Sequence, residues 1–448
     1  MAPSDLSLAE PLPLDFVPRS VSLGPSDRAI RIPGAGAGWL RKLLAFGGPG
    51  YLVSVGYMDP GNWATDLAGG SSYGYGLLSV VVISSLMAML LQALSLRLGI
   101  ATGRDLAQLS RARFGRRPAV ALWLLAEIGI VACDLAEVIG TAIALELLFG
   151  LPLFWGVVLT AFDTLLVLGL QRWGFRGLEA LVIGLISLIA LCFGYELLVS
   201  SPDMAAILGG LVPRAQIAHN PDMLYLAIGI IGATVMPHNL YLHSALVQTR
   251  GYDRNTAGKR EAIRFATIDS NIALSFALMI NAAILVLAAA TFHKAGRTDI
   301  AELQDAYGLI SPLLGAPLAA TIFALALLFA GQNSTLTGTL AGQIVMEGFV
   351  QVRLRPWLRR LVTRALAVVP AAIVVASLGD HAAADMLIGS QVVLSLQLPF
   401  AVIPLVWLTC DKRLMGGFAN SRALSIAAWA ISLLILVLNL KLAADVLF

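Results

Sequence analysis

The sequence predicts an all-α membrane protein with eleven transmembrane helices, built as an inverted repeat of five plus five helices with one extra helix. Of its 448 residues, 58% are hydrophobic and only 13% charged, and the mean hydropathy is +0.83. A soluble protein of this length could not bury that much apolar surface. Eleven apolar segments are long enough to cross a bilayer. Two of them, the first and the sixth, carry a helix-breaking proline motif near their middle. An offset of five spans, an odd number, inserts the second half upside down relative to the first.

Along the chain, residues 1–44 carry Pro, Ser, Gly and acids without the apolar region of a cleavable signal. We predict a disordered cytoplasmic tail there. Residues 45–200 are expected to form the first repeat (helices 1–5), residues 201–410 the second (helices 6–10), and residues 411–448 helix 11 and the C-terminus. The spans are expected near 46–72, 76–98, 118–149, 151–171, 177–200, 222–248, 267–292, 315–350, 357–378, 383–409 and 424–445.

The distribution of Lys and Arg predicts the orientation. With the N-terminus inside, twenty basic residues fall in the inner loops or at the inner ends of spans. The outer loops hold only Arg214, Lys294 and Arg297. Cytoplasmic loops carry an excess of Lys and Arg, so we expect the N-terminus in the cytoplasm and the C-terminus outside. The composition and the short loops favour a bacterial inner membrane.

The two motifs are Asp59-Pro60-Gly61-Asn62 and Met236-Pro237-His238-Asn239. Proline removes a backbone donor and clashes with the preceding turn, so each helix should unwind and expose carbonyl groups. Unpaired backbone is tolerated at this depth only where it lines a cavity or binds something. An ionised Asp near the bilayer centre also needs a cation or a proton as its partner.

These motifs supply a mixed set of metal ligands. Asp59 offers a carboxylate, Asn62 an amide oxygen, and the unwound carbonyls of Gly56 and Ala233 can add two more oxygens. Met236 offers a thioether sulfur. Mg²⁺ and Ca²⁺ prefer shells made entirely of oxygen, whereas a sulfur beside oxygens favours late first-row ions such as Mn²⁺ and Fe²⁺. The alternative to metal binding by Met236 is ordinary packing of its side chain in the core.

The segments 56–66 (GYMDPGNWATD) and 232–246 (GATVMPHNLYLHSAL) resemble the signature helices of the natural resistance-associated macrophage protein (NRAMP) divalent-metal transporters. Segments 134–142, 330–349 and 390–405 resemble the third, eighth and tenth helices of that family. The resemblance implies a LeuT-type fold and proton-coupled import of Mn²⁺ and Fe²⁺ by alternating access, with Cd²⁺ and Co²⁺ as further substrates.

By matching motif, the resemblance implies that Asp59, Asn62 and Met236 are side-chain ligands and that the Ala233 carbonyl is a backbone ligand. Gln391 would join the site in a more closed state. Position 56 is Gly where some members have Ala, a change that matters little if the carbonyl is what binds.

A proton pathway is expected beside this site. Glu127, Asp134 and Glu137 are seven and three residues apart, so they lie on one stripe of the third span. Such acids form a proton relay, or else static ion pairs with basic residues, for which Arg359 and Arg360 are the candidates.

Two histidines of the sixth span bear on the same pathway. His238 follows Met236 closely and has a side chain suited to proton transfer, although it can also be structural. His243 is at least as well explained by a structural role. We expect Asp59 to be the first proton acceptor, because an arriving metal ion displaces the proton of a carboxyl group.

Other interpretations remain open at this point. A sodium-coupled solute symporter of the same architecture could hold Na⁺ on the polar run of the eighth span, although helix packing explains that run too. A metal-permeable channel is a further alternative. An intramembrane metalloenzyme is disfavoured, because the chain has only five His and lacks His-Glu-x-x-His. The polar run comprises Gln332, Asn333, Ser334, Thr335, Thr337 and Thr339.

The expected partners follow from this interpretation. They are divalent metal ions, protons and the lipid bilayer, with no nucleic acid and no prosthetic group. The protein is expected to be a monomer.

Overall fold

The structure is a computed structural model that describes residues 30–32, 38–163, 169, 174–352, 354–379 and 382–447. The described part is almost entirely helical, apart from two short strands. The helices are α1 (Trp39–Phe46), α2 (Pro49–Ser54), α3 (Pro60–Tyr73), α4 (Leu78–Thr102), α5 (Leu106–Phe114), α6 (Arg116–Phe149), α7 (Leu153–Leu159), α8 (Gly174–Ser200), α9 (Met204–Gly210), α10 (Gln216–His219), α11 (Pro221–Val235), α12 (Pro237–Leu246), α13 (Thr256–Thr291), α14 (Leu303–Leu314), α15 (Ala319–Val350), α16 (Pro356–Leu378), α17 (Ala382–Cys410), α18 (Lys412–Met415) and α19 (Arg422–Leu447). The strands are β1 (Ile30–Arg31) and β2 (Arg250–Gly251), paired in parallel.

Within the described residues, nine helices are long and apolar enough to cross a membrane. One of them, Pro60–Thr102, contains both α3 and α4, with a short 3₁₀ turn at Gly74–Leu77 between them. It therefore holds the second half of the first expected span and the whole of the second. A shorter apolar helix, Leu153–Phe162, lies in the fourth expected span. Residues 164–168 and 170–173 of that region are outside the described residues.

The N-terminal segment differs from the prediction of a disordered tail. Residues 39–44, expected to be part of that tail, belong to helix α1, and Ile30–Arg31 pairs with Arg250–Gly251. In this helix Lys42 and Phe46 are buried, whereas the apolar residues Trp39, Leu40 and Leu44 are exposed. The rest of the expected tail, residues 1–29 and 33–37, lies outside the described residues. The boundaries of the two repeats stay predictions.

The third span is the centre of the packing. Helix α6 lies along α15 and α17 and also contacts α3, so it touches helices from both halves of the chain. Close approach depends on small residues: a Cβ added to Gly140 would lie 2.2 Å from the Cβ of Pro60. Trp63 of α3 is fully buried, and its ring centroid lies 4.7 Å from that of Phe193 and 5.5 Å from that of Phe323. These contacts hold the segment after the first helix break against its neighbours.

Gly99→Ala is expected to destabilise the fold. The new Cβ would lie 2.1 Å from the carbonyl oxygen of Ser244 in α12, and a backbone atom cannot move aside as a flexible side chain can. Overpacking of this kind costs about 1–3 kcal/mol. The melting temperature in detergent should therefore fall.

The matched control is Gly184→Ala in α8, where an added Cβ meets nothing within 4 Å. That variant should melt at or slightly above the wild-type temperature, because alanine favours a helix more than glycine does. Equal melting temperatures for the two variants would contradict the close approach of α4 and α12.

Candidate metal-ion site

The first helix break has a definite local cause. Helix α2 ends at Ser54 and passes through a 3₁₀ turn, Val55–Met58, to Asp59, which has an extended conformation. Helix α3 then restarts with Pro60 at its first position, where a missing N–H is tolerated. The Asp59 carboxylate caps this helix by accepting a hydrogen bond from the Asn62 N–H at 3.0 Å. The motif thus ends one helix, begins another, and leaves Asp59 at the junction.

The second break has the same plan. Helix α11 ends at Val235, and α12 begins with Pro237 at its first position. Met236 lies between them with a φ of +29°. A residue other than glycine adopts a positive φ only when the surrounding structure imposes it, and such strain is common at functional sites. The two breaks lie next to each other, since Nδ2 of Asn62 is 3.3 Å from the Ala233 carbonyl oxygen.

Three oxygens from the two breaks converge on one atom, the amide nitrogen Nδ2 of Asn62. This nitrogen donates to Asp59 Oδ1, and it lies 3.5 Å from the Gly56 carbonyl oxygen and 3.3 Å from the Ala233 carbonyl oxygen. A metal cation can be coordinated by these same three oxygens. Rotation of the amide by half a turn would add Oδ1 of Asn62 to the set. The arrangement is thus a cage of hard oxygens with a single carboxylate.

Soft and flexible groups border this cage. The sulfur of Met236 lies 3.6 Å from Nδ2 of Asn239, and a Cβ on Gly56 would lie 3.0 Å from that sulfur. Gln391 of α17 places Nε2 3.5 Å from Asp59 Oδ2, and its Oε1 is buried without a hydrogen-bond partner. The structure thus brings all six expected metal-site residues together.

The site is closed to solvent. The side chains of Asp59, Asn62, Met236 and Gln391 are at most 1% exposed. Within the described residues, His, Cys, Asp and Glu form no group of three that could hold a metal. Any ion here must therefore use the amide, carbonyl and thioether groups together with Asp59.

Asn281 of α13 belongs to the site, although the sequence motifs do not include it. Its Nδ2 donates to the Tyr57 carbonyl at 2.8 Å and lies 3.4 Å from Asn62 Oδ1, so it fixes both the unwound backbone and the Asn62 amide. Its Oδ1 is buried without a partner. A signal for it is present in the sequence, because an Asn inside an apolar span is itself costly and needs a reason to be there.

The acids of the third span pair with arginines of α16, the alternative that the sequence left open beside a proton relay. Arg359 Nη2 lies 3.1 Å from both carboxylate oxygens of Glu127. Arg360 Nη1 lies 2.8 Å and 3.2 Å from the two oxygens of Asp134, and Nη2 lies 4.0 Å from Glu137. Each acid of the stripe therefore has a cation close by.

Arg364 and Asp163 extend this network and are not among the predicted residues. Arg364 is 1% exposed, with Nη1 3.6 Å from Asp134 and 3.7 Å from Glu137 and Nη2 2.8 Å from Asp163. In the sequence, Arg364 is one of several basic residues near the start of the ninth span, where positive charge usually only sets orientation. Arg364 is buried, as are Arg359 and Arg360, and this burial depends on the neighbouring helices.

Four hydroxyl groups of the polar run of the eighth span donate hydrogen bonds within the protein, whereas Oε1 of Gln332 and Oδ1 of Asn333 are buried without partners. Ser334 and Thr335 donate hydrogen bonds to the two carboxylate oxygens of Glu137, at 2.8 Å and 2.9 Å. The hydroxyls of Thr337 and Thr339 donate to backbone carbonyls of their own helix. The interhelical hydrogen bonds of Ser334 and Thr335 favour helix packing over a sodium site as the reason for that part of the run.

The two histidines of α12 are both buried but have different surroundings. His238 has no partner at Nδ1, and Asp134 is its electrostatic neighbour. His243 Nδ1 lies 2.9 Å from Gln92 Oε1, and Gln92 in turn donates to the Tyr57 hydroxyl at 2.6 Å. His238 therefore lies between the cage and the acid–arginine network, while His243 is part of a separate hydrogen-bonded chain.

Comparison with known protein families shows which family has this fold and this site. The family model described as natural resistance-associated macrophage protein-like (Nramp) matches residues 50–445. The chain belongs to the Nramp family. The resemblance noted from the motifs is thereby confirmed, and so is the predicted class of fold.

Relatives within the Nramp family align over nearly the whole chain. A protein named divalent metal cation transporter MntH from Bradyrhizobium diazoefficiens is 60% identical over 431 residues, 96% of each chain. One of the same name from Xanthomonas campestris pv. campestris is 58% identical over 442 residues, 99% of this chain and 98% of the relative. These names are those of transporters, in agreement with the expectation that this chain is not an enzyme.

Solved structures agree with the Nramp assignment. The manganese transporter of Eremococcus coleocola, in complex with an aromatic bis-isothiourea substituted compound, has a TM-score of 0.86 and 43% identity. The match covers 94% of this chain and 90% of that one. The inward-facing conformation of Mhp1 has a TM-score of 0.51 and 15% identity over 88% of each chain, a likeness of the fold alone.

Proposed function

We propose that this protein imports Mn²⁺ and Fe²⁺ into the cytoplasm together with protons, by alternating access, with Cd²⁺ and Co²⁺ as further substrates. The observation that carries the proposal is the convergence of Asp59 Oδ1 and the Gly56 and Ala233 carbonyls on the Asn62 amide, beside the Met236 sulfur. A cage of oxygens with one sulfur suits late first-row ions better than the more abundant Ca²⁺ and Mg²⁺. The transporter names of the relatives support the same substrate class.

The proposed cycle begins with a hydrated metal ion entering from outside. The ion binds Asp59, and the proton of that carboxyl group is released. The proton passes by His238 towards Asp134 and Glu137 and then towards Glu127 and the cytoplasm. Arg359 and Arg360 remain protonated and line this route. The outer and inner gates then open alternately around the fixed site. A membrane potential that is negative inside favours inward movement by about 2.3 kcal/mol per charge per 100 mV.

The proposal includes the placement in the membrane. The N-terminus faces the cytoplasm and the C-terminus the outside of an inner membrane, and the functional unit is a monomer. The excess of Lys and Arg in the inner loops supports this orientation.

The deciding experiment is Mn²⁺ uptake into proteoliposomes with a pH dye in the lumen. Uptake that saturates, needs no Na⁺ and acidifies the lumen is expected. A requirement for Na⁺ would favour the symporter interpretation, and metal flux that stays linear with concentration would favour a channel. Absence of Mn²⁺ uptake would overturn the proposal.

Glu137→Gln tests the proton route. Glutamine can still form hydrogen bonds with Ser334 and Thr335, but it cannot carry a proton. We expect Mn²⁺-dependent acidification to fall roughly tenfold or more, while Mn²⁺ uptake falls less.

The matched control is Glu261→Gln, which changes a partly exposed glutamate paired with Lys42 at the end of the membrane-crossing region. Its proton flux should equal that of the wild type. If Glu137→Gln and Glu261→Gln behave alike, Glu137 does not carry the transported proton.

A further inference from the structure

Helix α1 has an apolar face that the rest of the protein leaves uncovered. Trp39, Leu40 and Leu44 are 53%, 62% and 66% exposed. Leu40 and Leu44 are four residues apart, so they lie one above the other on the same side of the helix. Lys42 lies on the opposite side, where it is buried and pairs with Glu261 of α13. The helix therefore turns its charged contact inwards and its large apolar side chains outwards.

Two arginines hold the C-terminal end of α1 in place. Arg176 of α8 donates to the carbonyl oxygens of Leu44 and Ala45, at 3.3 Å and 3.0 Å. Arg250 donates to the carbonyl oxygen of Phe46 at 3.3 Å. The last carbonyl groups of a helix have no partner within it, so these bonds satisfy them from two other elements. The apolar face is thus a fixed surface and not the side of a fraying terminus.

This face continues into the lipid-facing surface of two membrane-crossing helices. Leu44 borders a groove of about 410 Å³ whose walls include Ile183 of α8 and Ile272 of α13. Both isoleucines are exposed, and so are Phe276 and Met279 further along α13. Because α8 and α13 are long and apolar enough to cross a membrane, exposed apolar side chains along them are directed at lipid. The surface of α1 extends that apolar belt to the end of the membrane-crossing region.

Basic side chains lie beside the apolar face. Arg41 of α1 is exposed, as are Arg260 and Arg264 of α13. The two arginines of α13 share an open hollow with Trp39. Tryptophan and arginine together are typical of the boundary between acyl chains and headgroups, and the excess of positive charge there complements anionic lipid. The charged residues that line the hollow, three basic and two acidic, are Lys42, Asp253, Arg260, Glu261 and Arg264.

We propose that α1 is an interfacial helix that binds anionic phospholipids of the cytoplasmic leaflet. Trp39, Leu40 and Leu44 lie among the acyl chains, and Arg41 lies at the phosphate groups. Amphipathic helices with Trp and Leu on one face and basic residues beside it bind membranes in this way. The inference goes beyond the proposed metal transport and uses only the proposed placement in the membrane. Because residues 47–48 join α1 directly to α2, the bilayer then anchors the first half of the first broken helix.

The first experiment measures where position 40 lies in proteoliposomes. A nitroxide label is attached at Leu40→Cys in the full-length Cys192→Ser/Cys410→Ser protein, whose remaining native cysteine is buried. Labels at Leu191→Cys, 71% exposed within α8, and at Lys412→Cys, exposed in α18, are the matched references for lipid and for water. The ratio of collisions with oxygen to collisions with a water-soluble nickel chelate should be several-fold higher at position 40 than at position 412, and should approach that at position 191.

Two results would overturn the proposal. A collision ratio at position 40 as low as that at position 412 would place α1 in water. Few collisions with either agent would mean that another part of the chain, or a second copy, covers the face. Trp39→Cys lies on the same face and serves as a second labelling position if Leu40→Cys does not fold.

The second experiment varies the charge of the lipid. Replacing half of the phosphatidylcholine with phosphatidylglycerol should raise the collision ratio at position 40, because the arginines beside it attract anionic headgroups. The variant Arg41→Gln/Arg264→Gln should lose this rise. The variant Arg117→Gln/Arg413→Gln removes the same charge from exposed positions elsewhere and should keep it. An equal ratio in both lipids without these substitutions would contradict the binding of anionic lipid.

These measurements separate the inference from the proposed function, because neither of them depends on metal transport. If the wild type carries no divalent metal, the proposed function fails while the label results still decide the inference. If Mn²⁺ uptake is found and the label at position 40 behaves like that at position 412, only the inference is wrong. Vesicles with the same lipids in both leaflets make the results independent of the orientation of the protein.

Discussion

Asp59→Asn is expected to reduce Mn²⁺ uptake about a hundredfold or more. Asp59 is the only carboxylate in the oxygen cage, and a single opposite charge about 4 Å away contributes about 4 kcal/mol at the effective dielectric constant of about 20 that describes most protein sites. Asparagine preserves the shape and can still cap α3 by accepting from the Asn62 N–H. The loss should therefore appear as weak metal binding in calorimetry and not as a lower melting temperature.

Asp203→Asn is a matched control for this change. Asp203 also caps a helix, accepting from the backbone N–H groups of Ala205 and Ala206, but it is exposed and takes no part in the cage. Its uptake should be that of the wild type. An Asp59→Asn protein that keeps half of its uptake would exclude Asp59 as the principal ligand.

Met236→Ala is expected to abolish discrimination against Ca²⁺. Removing the sulfur leaves a shell of oxygens, which Ca²⁺ prefers and Mn²⁺ tolerates. The KM for Mn²⁺ should rise a few-fold, and excess Ca²⁺, without effect on the wild type, should compete with Mn²⁺ for uptake. The measurement is Mn²⁺ uptake at a fixed concentration with increasing Ca²⁺.

Met87→Ala provides the comparison. Met87 is also a buried methionine, in α4, and its loss creates a cavity of similar size away from the cage. That variant should melt earlier but keep its selectivity. Competition by Ca²⁺ in both variants would mean that packing, and not the sulfur, sets the selectivity.

The helix breaks are predictable from the sequence because their cause is local. Helices restart at Pro60 and Pro237, where proline follows a residue that has left the helix, whereas Pro312, Pro370, Pro399 and Pro404 lie inside helices. The offset of five spans places the two motifs at matching positions of the two halves. Asp59 and Met236 can therefore be assigned to one site from the sequence alone. The pairing of Arg359 and Arg360 with the third span is also predictable, because buried acids need cations.

The residues that the sequence does not reveal depend on tertiary contacts. Arg364 is buried like Arg359 and Arg360, and its contacts with Glu137 and Asp163 depend on how α16 packs against α6 and α7. Asn281 becomes important only because α13 passes next to the unwound backbone at Tyr57. Helix α1 escapes prediction because Pro, Ser and Gly dominate the residues before it, although its own residues have the helical pattern. None of these contacts can be predicted from the local composition of the sequence.

The complete burial of the cage determines the kinetics of the proposed cycle. An ion enclosed by side chains that are at most 1% exposed cannot leave by diffusion, since helices must separate first. Each opening then releases at most the one ion that the cage holds, so turnover is set by a conformational barrier and not by ion mobility. The rate of transport should therefore depend on temperature far more steeply than the viscosity of water does. The number of ions moved per second should be that of an enzyme turnover and not that of a pore.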